Sequence, residues 1–354
     1  MNKLDEYFLK KTFDLARKGT GVVSPNPLVG ACVVKEGTIV GEGYHRGVGT
    51  PHAEVEALKK AGDNARGATL YVSLEPCAHH GKTPPCTEAI EASGILRVVA
   101  PIKDSNPLVN GNGFKYLKSK GIEVTLGILA EEARELNSFY LKYIKTKIPF
   151  VILKAAVTLD GKIGDPERGI FRISGEESHM EVHRIRNSVD AVLIGAGTVI
   201  TDDPSLTVRK VKAVKQPHKI IIDPELKCPG NARIFKDGGK VILVTTNQKA
   251  KEKYPEAEIW DFKKKNGEIN IKDILEKAGE EKISSIMVEG GSETFTLFVK
   301  SGMVDKYLLF FSPSFIGKGV SLINSPLERV FFDTSVRKMG KDILIEANNV
   351  YRNN

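Results

Sequence analysis

Apolar and polar positions in the first part of the chain switch between helical and strand spacing. In LDEYFLKKTFDLARK (residues 4–18), Leu4, Tyr7, Phe8, Thr12 and Leu15 recur at helical spacing. Gly19 follows as a stop, which predicts an opening amphipathic helix. Apolar runs at 29–34 (VGACVV) and 39–40, then TLYVS at 69–73 and LRVVA at 96–100, predict strands. Helices are expected from near His52, between Thr87 and Ser93, over 111–120 and over 131–145, with a short strand at 122–126. Lys147-Ile148-Pro149 precedes a fresh strand, Phe150 to Ala156, and marks a boundary between domains 1–146 and 147–354. Beyond it, strands at 190–194, 219–222, 240–245, 283–288 and 306–311 and helices at 271–279 and 293–301 repeat the alternation. Two α/β layered domains are predicted, the second with a doubly wound sheet. The halves share no repeat, so two different jobs are expected of them.

Composition narrows the class. A chain of 354 residues, 41% hydrophobic and 27% charged, is globular rather than disordered and long enough for two cores. No apolar run approaches the roughly 18–20 residues of a membrane helix, and Asp5 and Glu6 interrupt any secretory leader, so a cytoplasmic location is expected. Cys32, Cys77, Cys86 and Cys228 are too few for a disulfide scaffold and must be read singly. The net charge of +8 divides as 19 basic against 16 acidic residues up to 146 and 33 against 28 after it. So diffuse an excess suits an anionic small substrate as well as a polyanion, and no nucleic-acid or membrane partner is expected.

The strongest chemical signal is Pro51-His52-Ala53-Glu54 at a helix start, followed by Pro76-Cys77 and, after eight intervening residues, Cys86. One imidazole and two thiolates leave a zinc coordination position open, as catalytic zinc requires. Glu54, as a carboxylate that is not a ligand, would shuttle protons to a departing amine, the logic of zinc deaminases. Two positions along a helix separate side chains by about 200°, so the helix terminus must turn His52 and Glu54 to one place. A blander reading has His52 as a helix cap, Glu54 in solvent and both cysteines as buried thiols. Another has a closed structural zinc with its fourth ligand from His79 or His80. The residues between the thiols depart from the Pro-Cys-x-x-Cys deaminase spacing and would line a substrate site, unless Lys82 is only a solvated loop lysine.

With these motifs Ser24-Pro25-Asn26-Pro27-Leu28-Val29-Gly30, Gly43-Tyr44-His45, Glu75-Pro76-Cys77-Ala78-His79-His80 and Asp104-Ser105-Asn106-Pro107 complete a pattern. It resembles the deaminase half of the bifunctional riboflavin-biosynthesis deaminase/reductase family. The resemblance implies a cytidine-deaminase-like three-layer α/β/α domain, with His52, Cys77 and Cys86 holding Zn2+ and Glu54 as the proton shuttle. It implies substrate contacts from Asn26, His45, His79, Lys82, Asp104 and Asn106.

In the second half, Gly195-Ala196-Gly197-Thr198 and Gly290-Gly291-Ser292-Glu293-Thr294 each follow an apolar strand. Such turns let backbone amides and a helix N-terminus approach phosphate, although neither is the dinucleotide G-x-G-x-x-G pattern. Arg186 and Arg209 suit a sugar phosphate and Glu289 a hydroxyl or amine, while Asp202 and Asp203 also read as caps of a turn before Pro204. Lys154-Ala155-Ala156-Val157-Thr158-Leu159-Asp160-Gly161-Lys162, Val182-His183-Arg184-Ile185-Arg186-Asn187, the run from Gly197 to Arg209 and Val288-Glu289-Gly290-Gly291 resemble the reductase half of the same family.

That resemblance implies a dihydrofolate-reductase-like doubly wound α/β domain using NADPH. Lys154, Ala156, Thr198, Asp202, Gly291, Ser292, Glu293 and Thr294 would meet the cofactor, and Ser174, Arg186, Leu206, Arg209 and Glu289 the substrate. Arg172 stands where the family commonly has tryptophan beside the cofactor; a guanidinium there would meet a nucleotide phosphate or stack on a ring. The implied reactions are deamination of 2,5-diamino-6-ribosylamino-4(3H)-pyrimidinone 5′-phosphate and then reduction of its ribosyl group, and a homo-oligomer is compatible with the resemblance. The sequence names no acid for the reduction. Two rival readings are a deaminase of free or RNA-borne bases with an inactive second domain, and a zinc-stabilised nucleic-acid-binding protein, suggested by a pI near 9.1. The second predicts a closed four-ligand metal site.

Overall fold

The computed structural model describes residues 3–80, 84–165, 167, 169, 172–263, 269–327 and 332–348; Lys82 lies outside this set. The chain divides into two compact units, Met1–Lys147 and Ile148–Asn354.

The first unit contains strands β1 (Gly30–Lys35), β2 (Thr38–Tyr44), β3 (Thr69–Val72), β4 (Arg97–Ala100) and β5 (Glu123–Leu126). Its helices are α1 (Lys3–Arg17), α2 (Ala53–Ala61), α3 (Cys86–Ala92), α4 (Asn112–Ser119), α5 (Ala130–Leu136) and α6 (Ser138–Thr146). The sheet order is β2-β1-β3-β4-β5; β1 is antiparallel to β2 and β3, and β3, β4 and β5 are parallel. Alternate strand residues serve opposite faces. Ala31, Val33, Leu70, Val72, Val98 and Ala100 pack with α2, α3 and α4, whereas Cys32, Val34, Tyr71 and Val99 pack with Phe8, Leu9 and Leu15 of α1. A three-layer α/β/α arrangement results. Gly43 makes one of its close approaches possible: a Cβ there would lie 2.4 Å from the Ala53 carbonyl at the start of α2.

The segment 131–145, read as one helix from sequence, is two. Asn137 breaks it, its side chain accepting from the Leu28 N–H (2.8 Å) and donating to the Leu28 carbonyl (3.0 Å). An amide that satisfies distant backbone groups in this way competes with helix continuation.

The second unit runs β6 (Phe150–Thr158), β7 (Lys162–Gly164), α7 (Glu176–Ser188), β8 (Ala191–Gly195), α8 (Ala196–Asp202), β9 (His218–Ile222), α9 (Arg233–Lys236), β10 (Val241–Thr245) and α10 (Ala250–Lys253). It continues with β11 (Glu258–Asp261), α11 (Ile271–Glu280), β12 (Ser285–Val288), α12 (Ser292–Ser301), β13 (Lys306–Ser312), β14 (Val320–Ser321), β15 (Asp333–Met339) and β16 (Asp342–Asn348). The main sheet is ordered β11-β10-β9-β8-β12-β6-β13-β16-β15. It is parallel from β11 to β13 and ends in an antiparallel β16–β15 pair. Val151, Leu153, Ala155 and Val157 of β6 enter a core with Ile274, Leu275 and Ala278 of α11 and Phe295 and Phe298 of α12. By strand alternation Lys154 and Ala156 face the other way.

Candidate active sites

In the first unit the metal-binding pattern converges on one point. His52 is the N-cap of α2 in extended conformation, and its side chain makes no capping hydrogen bond, so the imidazole is free to turn from the helix axis. Cys86 opens α3, and Cys77 lies in the connection after β3, where its carbonyl accepts from the Thr87 N–H (3.2 Å). His52 Nδ1 sits 3.1 Å from Cys86 Sγ and 3.6 Å from Cys77 Sγ, and the Cys86 N–H points to Cys77 Sγ at 3.4 Å. The three donor atoms lie within 4.8 Å of one another, and among the described residues no fourth metal-ligating group joins them. His80 instead approaches Glu88 at 3.2 Å, and His79 is not in the cluster. Three convergent donors with two soft sulfurs fit zinc with a coordination position left for water. Hydrogen bonding from the Cys86 thiol, together with the His52 imidazole, holds Cys77 well below the ordinary thiol range, so a thiolate stands ready for the cation.

Glu54, second residue of α2, is 3% exposed and interacts with the Cys86 sulfur. Burial pushes its carboxyl up to about 7, against the pull of the His52 imidazolium. A carboxyl balanced there both takes and gives protons near neutral pH. The start of the helix has thus brought His52 and Glu54 to one place.

Around this centre, Asn26 Nδ2 and His45 Nε2 are 3.2 Å apart, His45 Nδ1 lies 3.5 Å from the Pro51 carbonyl, and the His45 ring stands edge-on to His52 at 5.5 Å. Burial lowers the His45 pKa and so favours the neutral ring. Asp104 accepts from Tyr140 Oη (2.8 Å) and from the Asn106 N–H (2.8 Å), close enough to Cys77 for the thiolate to act on it. Glu75 and Tyr140 were not singled out from sequence, although Glu75 stands within the Glu-Pro-Cys motif.

The second unit gathers its residues at the carboxyl ends of β8 and β12, the ends where α/β sheets bind ligands, and beside the middle of β6. Arg186 of α7 grips Glu289 with two hydrogen bonds, and Lys154 Nζ of β6 lies 3.6 Å from the same carboxylate. Burial alone would raise Glu289, but the Arg186 guanidinium and Lys154 ammonium hold it down at about 2. Burial lowers the Lys154 pKa, opposed by Glu289.

The two glycine turns meet beside this group. The Gly291 N–H donates to Thr198 Oγ1 (3.0 Å), and a Cβ at Gly195 or Gly290 would lie 2.5 Å from Thr294 side-chain atoms. Gly291, the N-cap of α12, has no side chain to cap the helix, and with its own N–H taken by Thr198 an anion would be met by the amides that follow it. This bare cradle fits the phosphates of a nicotinamide nucleotide. Ser292 and Thr294 are buried there, whereas Glu293 and Asp202 are exposed.

Leu206 is buried, and Ser174 is half-buried just ahead of α7. Arg209 is exposed, and its backbone N–H is held at 3.2 Å by the buried His183 Nδ1, a contact not foreseen from sequence. Asp203 is committed elsewhere, capping α9 through the Arg233 N–H (2.8 Å). Arg172 is exposed and paired with Glu176 at 2.8 Å.

Residues 2–101 match the cytidine and deoxycytidylate deaminase zinc-binding region, and residues 149–345 match the RibD C-terminal domain. Riboflavin biosynthesis protein RibD of Aquifex aeolicus is 49% identical over 255 residues, which is 71% of this chain and 72% of that protein. The chain belongs to the RibD family. The Escherichia coli member is 40% identical over 71% of this chain and 72% of its own length. A crystal structure from Thermotoga maritima, described as a diaminohydroxyphosphoribosylaminopyrimidine deaminase/5-amino-6-(5-phosphoribosylamino)uracil reductase, superposes with a TM-score of 0.90. It is 40% identical, and the match covers 98% of this chain and 99% of that one. As a RibD-family protein the chain is a two-part enzyme, a zinc-dependent deaminase joined to an NADPH-dependent reductase. Among the described residues no helix is long and apolar enough to cross a membrane.

Proposed function

We propose that residues 1–146 deaminate 2,5-diamino-6-ribosylamino-4(3H)-pyrimidinone 5′-phosphate and that residues 147–354 reduce the ribosyl group of the resulting uracil to a ribityl chain. The observation that carries the reading is the three-donor cluster of His52, Cys77 and Cys86 with buried Glu54 against it. Zinc held by those donors would supply Lewis acidity, making water acidic enough to lose a proton near neutral pH. Glu54 takes that proton at its carboxylate, the water oxygen bonds to the amine-bearing ring carbon, and Glu54 returns the proton to the amine nitrogen, so that the carbon–nitrogen bond breaks and ammonia leaves. Asn26, His45, Asp104 and Asn106 present the polar edge that orients the pyrimidine ring, with His79 a further contact; Lys82, expected to join them, lies outside the described residues.

In the reductase, NADPH bound by Lys154, Ala156, Arg172, Thr198, Asp202 and residues 291–294 would supply hydride to C1 of the ribosyl group. Arg186 and Arg209, with Ser174 and Leu206, hold the phosphorylated substrate. Opening the ribosyl ring also requires a proton on its oxygen. We assign that proton to Lys154 Nζ, which lies 3.6 Å from the Glu289 carboxylate. Orientation supplies much of the rate in such transfers. We place the enzyme in the cytoplasm, a setting that suits Cys32 and Cys228 as buried unpaired thiols.

The test is one assay on zinc-loaded protein with the diaminopyrimidinone ribosyl phosphate, following ammonia with and without NADPH and, in parallel, NADPH oxidation. Ammonia in both samples, with NADPH consumed in step, is expected. Ammonia without NADPH loss overturns the reductase assignment, and absence of both signals overturns the whole reading.

A further inference from the structure

Glu75 carries no part of the chemistry above, yet it is the most heavily engaged carboxylate near the metal cluster. It is 4% exposed and immediately precedes Pro76-Cys77. Its Oε2 accepts from the N–H groups of Asp104 (3.0 Å) and Gly111 (2.9 Å), and its Oε1 from those of Gly113 (2.9 Å) and Phe114 (3.4 Å). Three of these donors belong to the cap and first turn of α4, whose own N-cap, Gly111, offers no side chain. A carboxylate from elsewhere in the chain therefore occupies the place where α4 needs an acceptor and a negative charge. The fourth donor is the amide of Asp104 itself.

The approach is close by construction. A Cβ at Gly113 would fall 2.0 Å from the Pro76 carbonyl, so only glycine lets α4 start against Glu75-Pro76. The 104–114 segment is thus folded onto the residues that lead into Cys77, and Asp104 is pinned from its other side by Tyr140.

We propose that Glu75 is a positioning residue of the deaminase. By gathering four backbone N–H groups beside Cys77, it fixes Asp104 and Asn106 against the metal cluster and so sets substrate affinity rather than turnover. This rests on the reading of Asp104 and Asn106 as pyrimidine contacts. Because the reductase lies on a separate unit of the same chain, NADPH oxidation is an internal control for folding.

The experiment uses the full zinc-loaded chain carrying Glu75→Gln, whose amide sets N–H groups against some of the donors the carboxylate accepted. The expected result is a KM for ammonia release raised ~10-fold with kcat within ~3-fold, with zinc content unchanged and NADPH oxidation unchanged when the uracil substrate of the reductase is supplied separately. An unchanged KM, a fall in kcat alone, or loss of zinc overturns the proposal. If that variant does not fold, Glu75→Asp, which keeps the charge but shortens the reach, is expected to show a smaller rise in KM with the same split. Amide exchange of the wild-type chain judges the clamp without any substitution: Asp104 and Gly111 N–H are expected to exchange far more slowly than Leu108, and equal rates overturn it. A wild-type chain that releases no ammonia sinks the deaminase reading instead, and the exchange result still stands.

Discussion

Arg186 and Glu289, 103 residues apart in sequence, meet as a two-pronged ion pair, Nε to Oε1 at 2.6 Å and Nη2 to Oε2 at 2.9 Å. Both side chains are less than a tenth exposed. The fork is planar on both sides, a geometry an ammonium cannot copy. Arg186→Lys is expected to lower kcat/KM for reduction by ~10–100-fold while ammonia release is unchanged. Arg186→Ala leaves Glu289 buried with Lys154 as its remaining ion-pair partner among the described residues and is expected to cost the second unit about 3 kcal/mol. Steady-state kinetics of both half-reactions and urea unfolding check the two substitutions. A Lys variant with full reductase activity would refute the fork's role.

The same pair makes the second unit acid-sensitive in a definite window. Glu289 is held at about 2 in the fold against an ordinary 4.5, so the folded state binds fewer protons there than the unfolded chain. The stability this contributes is complete above about 4.5 and is lost as pH falls toward 2. Glu289→Gln is expected to be less stable than wild type at neutral pH, with the difference closing as the pH falls through that window. Thermal midpoints of the two proteins across pH 7 to about 2.5 provide the measurement. A difference that does not shrink below about 4.5 refutes the assignment.

Much of this architecture was legible in the chain because strands buried on both faces read as unbroken apolar runs. Ala31, Cys32, Val33 and Val34 read as one apolar run, and each face of β1 finds a helix. The convergence of His52, Cys77 and Cys86 into a candidate metal cluster was legible because these residues are chemically distinctive. The missed features share a cause. Helix α7 is largely polar and carries His183 and Arg186 inward, so its periodicity is not apolar. Strand β15 is an exposed edge whose partner β16 buries only every other or third residue, which leaves little hydrophobic pattern to read. Glu75 and Asn137 act on backbone groups far away in sequence, and no local spacing announces such bonds.

Glu54→Gln keeps the shape of the side chain and removes its proton chemistry. Since Glu54 is not among the three converging donors, zinc content is expected to stay at one ion per chain, and ammonia release to fall by ~10²–10⁴-fold. NADPH oxidation with the separately supplied uracil substrate is expected to be unaffected. Metal analysis alongside the ammonia assay decides the matter: full turnover in the variant removes the proton-shuttle role, and loss of zinc turns Glu54 into a ligand.

Cys86→Ser tests the cluster from the other side. Cys86 is fully buried at the first position of α3, and its sulfur lies nearest to His52 Nδ1. A serine hydroxyl is a poor substitute for a thiolate in a soft donor set, and its shorter bond draws the donor back from the other two. Zinc affinity is expected to fall by ~100-fold or more, and ammonia release with it. Chelation of the wild-type protein should produce the same loss and added zinc should reverse it. Because metal binding is coupled to the fold that gathers its ligands, the variant is also expected to lower the unfolding midpoint of the first unit while leaving that of the second unchanged. A differential scan that resolves the two units, read beside the ammonia assay, separates the possibilities. Equal losses in both units would mean general damage to the chain, and retained zinc with retained turnover would remove Cys86 from the metal site.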